Sequence, residues 1–151
     1  MKQLLTMAFL TVFLIATQPA VASNPVIVGE ISGVEICAQF ACNAAVFTGT
    51  CDCTVDNRNT PGFFWVSVQH DPLPNAGSSS AIRDGKWNLT TLRGSFSGKV
   101  VNGEIFNKGD NTFEITAILR IQKGGNGIVK VSGLLDHNDF PPTFEGDLSQ
   151  P

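Results

Sequence analysis

Six side chains in this sequence have the chemistry to do more than fill space. They are Cys37, Cys42, Cys51 and Cys53, and the two histidines His70 and His137. The cysteines are spaced C-x4-C-x8-C-x-C. Four thiolates can hold zinc, but neither half has the C-x2-C knuckle of structural zinc sites. A Cys-x-Cys pair can also act as a redox centre. Such pairs gain reactivity from a helix N-terminus, and no segment here has a helical period. An even count in an exported chain points instead to disulfides.

Four cysteines pair in three ways. Cys37–Cys42 closes a short loop and leaves Cys51–Cys53. In an extended strand those two project to the same face with Cα atoms about 6.5 Å apart, near the upper limit for a disulfide. The nested pairing is Cys42–Cys51 with Cys37–Cys53; the staggered one is Cys37–Cys51 with Cys42–Cys53. All three stay open on sequence alone. Cys37–Cys42 is the favoured pair; the nested and staggered pairings would tie the irregular N-terminal segment to the folded domain.

The histidines sit in two similar runs, His70-Asp71-Pro72-Leu73-Pro74 and Asp136-His137-Asn138-Asp139-Phe140-Pro141-Pro142. If the runs meet at one end of the fold, His70, Asp71, Asp136, His137 and Asp139 can form an acid–base pair or a metal site. The plainer reading is favoured. Proline cannot donate to a sheet ladder and so ends strands, and Asp and His are ordinary turn residues. No catalytic residue, metal or cofactor is therefore expected. A Ser-His-Asp arrangement through Ser67 or Ser78 lacks a nucleophile elbow. The pairs Asp56-Asn57 and Asp110-Asn111 have the composition of a calcium loop without its spacing. Asn88-Leu89-Thr90 is a glycosylation sequon, and nothing matches a phosphate loop or a dinucleotide fingerprint.

The start of the chain supplies the context in which the cysteines are read. Met1 and Lys2 lead into an apolar run over residues 4–15 that ends in Ala20-Val21-Ala22. A basic start, an apolar stretch and a small-residue site are the parts of a secretory signal peptide. Residues 1–22 are expected to be the leader and 23–151 a single domain, secreted or periplasmic. The apolar run is shorter than the ~20 residues a membrane span needs, so no span is expected after cleavage. Removing 22 of 151 residues leaves 129, enough for one real core. Lys2 leaves with the leader, so nine basic residues face 13 acidic ones, a net charge of −4. That balance gives no footprint for nucleic acid.

The elements that must position these residues read as strands and turns. Phe113, Ile115, Ala117, Leu119 and Ile121 alternate with polar residues, so they share the core face. Ala45, Phe47, Gly49, Cys51 and Cys53 share another face. Residues 63–70 are apolar on both faces, which suggests a central strand. Asp84-Gly85 reads as a turn, and Asn102-Gly103 as a type I′ turn or a bulge inside a long strand. In Phe47-x-Gly49, Phe96-x-Gly98, Val131-x-Gly133 and Phe144-x-Gly146, an apolar residue and a glycine share one face. Such glycines let strands bend and a sheet curl shut.

The expected fold is therefore all-β: an antiparallel meander of about seven to eight strands forming a small barrel or barrel-like sandwich. The leading functional expectation is an exported, non-catalytic β-domain with a structural or binding role. One alternative is a carrier for an apolar small molecule, with a cavity lined by Phe47, Trp65, Trp87, Phe96 and Phe113. The other is a metal-dependent enzyme using the His70 and His137 loops. The partner, small molecule or protein, is not legible.

Overall fold

The computed structural model describes residues 24–37 and 43–151, and they are strands and turns throughout. Nine strands follow in order: β1 Ile27–Cys37, β2 Ala44–Val55, β3 Arg58–Asn59, β4 Gly62–His70, β5 Ser79–Thr91, β6 Gly94–Gly109, β7 Thr112–Lys123, β8 Gly127–Asp136 and β9 Thr143–Ser149. Each long strand pairs antiparallel with the next, and β1 pairs with both β2 and β9. The result is a closed up-and-down barrel of eight strands, with the two-residue β3 attached to the end of β2. Closure removes the exposed edges that an open sheet would present.

Alternation decides which side chains fill the barrel. Phe113, Ile115, Ala117, Leu119 and Ile121 are all buried, and each large one contributes about 1.5–3 kcal/mol. On β2, Ala45, Phe47, Cys51, Cys53 and Val55 are buried in the same alternation. The outer wall carries mid-strand charges such as Glu30, Lys86, Lys99, Glu114 and Lys130. Apolar inside and charged outside is the reverse of a lipid-facing barrel.

The tight connections have the chemistry their dihedrals demand. Asp56-Asn57 and Asp110-Asn111 both have φ near +50° and +60°, the pattern of type I′ hairpin turns, where Asn and Asp tolerate positive φ. Their calcium-like composition is turn chemistry. Asn102-Gly103 lies inside β6, where the register with β7 shifts between Val100 and Asn102; it is a bulge, not a hairpin. Asp84-Gly85 is not the turn expected of it and runs within β5.

The N-terminal segment departs most from expectation. Instead of an irregular stretch held by cysteines, Ile27–Cys37 is an 11-residue strand. Its whole length is paired to β2, and Gly29–Val34 is paired to β9. Gly33 stands opposite Gly49. A Cβ on Gly49 would collide with the Ser32 carbonyl oxygen, so β1 and β2 approach where neither residue has a side chain.

Candidate functional site

The strand directions place both histidine runs at the same end of the barrel. β4 and β8 both finish there, as does β1. Around the rim, however, β2, β1 and β9 stand between β4 and β8, and the two runs build separate clusters.

In the first cluster, His70 is buried at the end of β4. Its Nδ1 lies 2.6 Å from the Asp71 carbonyl oxygen, which can only accept, so Nδ1 carries the proton. The Asp71 carboxylate takes two hydrogen bonds from Arg83, at 2.8 and 2.7 Å. Asp71 is thereby held below the usual carboxylate range. The hydrogen bonds from Arg83 dominate, partial desolvation opposes them, and the charges of Arg83 and His70 add. The same pairing raises Arg83.

In the second cluster, His137 Nε2 donates to Glu35 Oε2 at 2.7 Å. The Glu35 side chain is 4% exposed and that of His137 22%. Glu35 lies on the inward face of β1, a position given no role by sequence reasoning. Its backbone N–H donates to Pro142 O, and the His137 ring packs on Phe113 with centroids 4.9 Å apart. This pair joins the end of β1 to the loop after β8. Leu73, in the loop after β4, packs against the core.

The remaining acids of the proposed polar site serve their own loop. Asp136 accepts from the Asn138 backbone N–H and side chain, both at 2.8 Å. Asp139 accepts from Thr143 Oγ1 at 2.9 Å. Among the described residues, no group of three or more His, Cys, Asp or Glu is gathered to hold a metal ion. The five residues His70, Asp71, Asp136, His137 and Asp139 therefore do not form one site. The reason is topological: three strands intervene, and each acid is already hydrogen-bonded close by.

The cysteines divide differently. Cys51 and Cys53 are disulfide-bonded to each other, with Cα atoms 5.3 Å apart, closer than the extended-strand expectation. The nested and staggered pairings are overturned. The bond lies within β2 and does not tie β1 to the barrel; backbone pairing does that. Both residues are buried, so neither is presented as a redox centre. The Cys37–Cys42 pairing lies outside the described residues.

The interior offers little room. Its internal cavity measures about 50 Å³ and is lined only by apolar atoms, with Phe47, Trp87 and Phe144 among its walls. Ligand pockets run to several hundred cubic ångströms. Phe96 and Phe113 are buried but do not line this space. Trp65 is not inside at all: it is 41% exposed on the outer wall, beside Phe63 at 70%. Strand β4 is apolar on both faces without being covered on both. Phe64, Val66 and Val68 point inward, and a single-layer barrel has no second layer to cover Phe63 and Trp65.

No family model, curated protein or solved structure matches the chain. Its chemistry must be read from its own surfaces. Among the described residues, the outer wall at β4 is where two large aromatic side chains, Phe63 and Trp65, stand together in solvent.

Proposed function

We propose that the chain is an exported, non-catalytic binding domain that recognises its partner on the outer wall of the barrel. The observation that carries this reading is the contrast between the interior and β4. About 50 Å³ inside is enough for a water molecule or two, while Phe63 and Trp65 are left exposed on adjacent outward positions of one strand. Clustered exposed aromatics mark recognition surfaces, because exposing them to water has to be offset by burial elsewhere. Export rests on the leader-like residues 1–22 and on the buried Cys51–Cys53 bond, which suits an oxidising compartment.

The test is made on protein recovered from its source. The expected result is a mature chain beginning at Ser23 with no stoichiometric apolar molecule in an organic extract. A fatty acid or isoprenoid recovered at one per chain would overturn the outer-wall reading. A cytoplasmic chain still beginning at Met1 would overturn export.

A further inference from the structure

The register around β4 says what kind of partner the outer wall suits. Trp65 stands directly between Thr48 on β2 and Asn88 on β5. In the next row, Phe63 stands between Thr50 and Thr90. The same rows are extended by Ser32 on β1 and by Ser95 and Ser97 on β6. Two aromatic rings, about 6.5 Å apart along the strand, are thus set in a field of hydroxyl and amide groups. None of these residues is charged. The Trp65 row continues through Val34 on β1, and charge enters the two rows only further round the barrel, at Lys123 on β7 and Glu145 on β9. The flanking rows are charged, with Lys86 opposite Lys99 on one side and Asp52 opposite Glu30 on the other.

The polar groups are also partly organised. Ser95 Oγ is 3.3 Å from Thr90 Oγ1, which donates to Asn88 Oδ1 at 3.0 Å. That bond occupies the amide oxygen of Asn88 and fixes which way its amide nitrogen points. On the other flank, Ser32 and Thr50 hydroxyls lie 3.4 Å apart.

A ligand complementary to this wall must be uncharged, present flat C–H faces to the rings, and carry hydroxyls along its edges. A pyranose has that anatomy: axial C–H bonds on its faces and hydroxyls around its equator. C–H groups pack on the negative face of an aromatic ring, and hydroxyl edges exchange hydrogen bonds with Thr, Ser and Asn. A second protein fits less well, since a stable interface buries about 800 Å² per partner around an apolar core, and here two rings are enclosed by hydroxyls. An anionic membrane would call for a basic rim around the aromatics, and acids border one margin. We propose that the Phe63–Trp65 wall binds an uncharged polysaccharide chain, a reading that rests on the outer-wall function above and names its ligand class.

The experiment titrates the mature domain with cellohexaose, chitohexaose and laminarihexaose by isothermal titration calorimetry, which reads the parent and every variant alike. Tryptophan fluorescence of the parent is followed in parallel; Trp87 is buried, so a change there is expected from Trp65. At least one hexasaccharide is expected to bind, and Trp65→Ala and Phe63→Ala each to weaken it ~10-fold or more. Val101→Ser, at an exposed apolar residue on β6, is expected to leave binding unchanged. Circular dichroism of each variant checks that the barrel is intact. Three results would overturn the proposal: no hexasaccharide binds; the Trp65→Ala domain binds as tightly as the parent; or the Trp65-dependent association is instead with phosphatidylcholine or phosphatidylglycerol vesicles, or with a second copy of the chain. In that last case the outer wall is still the working surface, and only the sugar assignment falls. Uptake of parinaric acid at one per chain, unaffected by Trp65→Ala, would sink both.

Discussion

Trp87 on β5 reaches β7, two strands away, through the gap left by Gly98 on β6. The two residues are directly paired between β5 and β6, and the Trp87 indole N–H crosses β6 to donate to the Arg120 carbonyl oxygen on β7 at 3.1 Å. A Cβ on Gly98 would collide with that same oxygen. One glycine therefore makes room for the largest interior side chain and for its only polar group.

Gly98→Ala is accordingly expected to lower stability by about 1–3 kcal/mol through overpacking. The downfield indole N–H resonance of Trp87 should shift in the proton spectrum. Trp87→Phe removes the donor and leaves the carbonyl without it, a cost of the order of 1–3 kcal/mol that urea denaturation would read. An unchanged midpoint for both variants would contradict the relationship.

Glu35 and His137 are 102 residues apart in sequence and joined at the barrel mouth. His137→Ala leaves a buried carboxylate without its partner and should cost on the order of 3 kcal/mol. Glu35→Gln keeps an acceptor for His137 and should cost less. Limited proteolysis should cut the 137–142 loop faster in His137→Ala than in the parent. A double-mutant cycle giving no coupling between positions 35 and 137 would count against the latch.

The Asp71–Arg83 pair makes a pH-dependent contribution whose sign follows from the depressed Asp71 carboxyl. The folded chain holds this proton less tightly than the unfolded chain. The contribution is fully present above the ordinary carboxylate value of about 3.9 and is lost as pH falls through the lower folded value. Both side chains are well exposed, so the effect is small. Asp71→Asn should be slightly less stable than the parent from pH 5 upward, and the difference should vanish in strong acid. A difference that grows on acidification would reverse the sign and refute the account.

Thr60 is buried at 2% exposure, and its hydroxyl has no hydrogen-bond partner. Thr60→Val keeps the shape and removes the orphan oxygen. It should be neutral or stabilising by about 1 kcal/mol, read as a raised Tm. A loss of stability would mean that the hydroxyl is satisfied in solution.

The Cys51–Cys53 bond closes so short a loop that chain entropy assigns it only roughly 1.5 kcal/mol. The Cys51→Ala/Cys53→Ala double variant is expected to remain folded with a lowered midpoint. In the parent, iodoacetamide with mild reductant should leave both residues unlabelled until urea is added. Ready labelling in the native state would contradict their burial.

Much of the barrel was legible. The alternation of β7 and β2 named the buried faces, including the shared inward face of Cys51 and Cys53. The fold class followed from short turns between such runs. What hid β1 was its own inward row, Ile27, Gly29, Ile31, Gly33 and Glu35, in which two glycines and an acid interrupt the apolar signal. The glycines are there because β2 comes close, and the acid because a histidine far along the chain meets it. Neither fact is local. The Asp-Asn turns were recognisable in principle, since paired residues tolerant of positive φ between two strands signal a type I′ hairpin.

The sequence by itself determined which residues share a side within each unbroken run of strand, because side chains alternate with period two between bulges. Only the tertiary structure decided what each side faces. Closing the sheet through β1 turned one face of β4 into core and left Phe63 and Trp65 in solvent. It also set His70 and His137 on one rim with three strands between them. Those outcomes depend on which strands pair and where the sheet closes, and pairing is a contest among distant segments that no local pattern records.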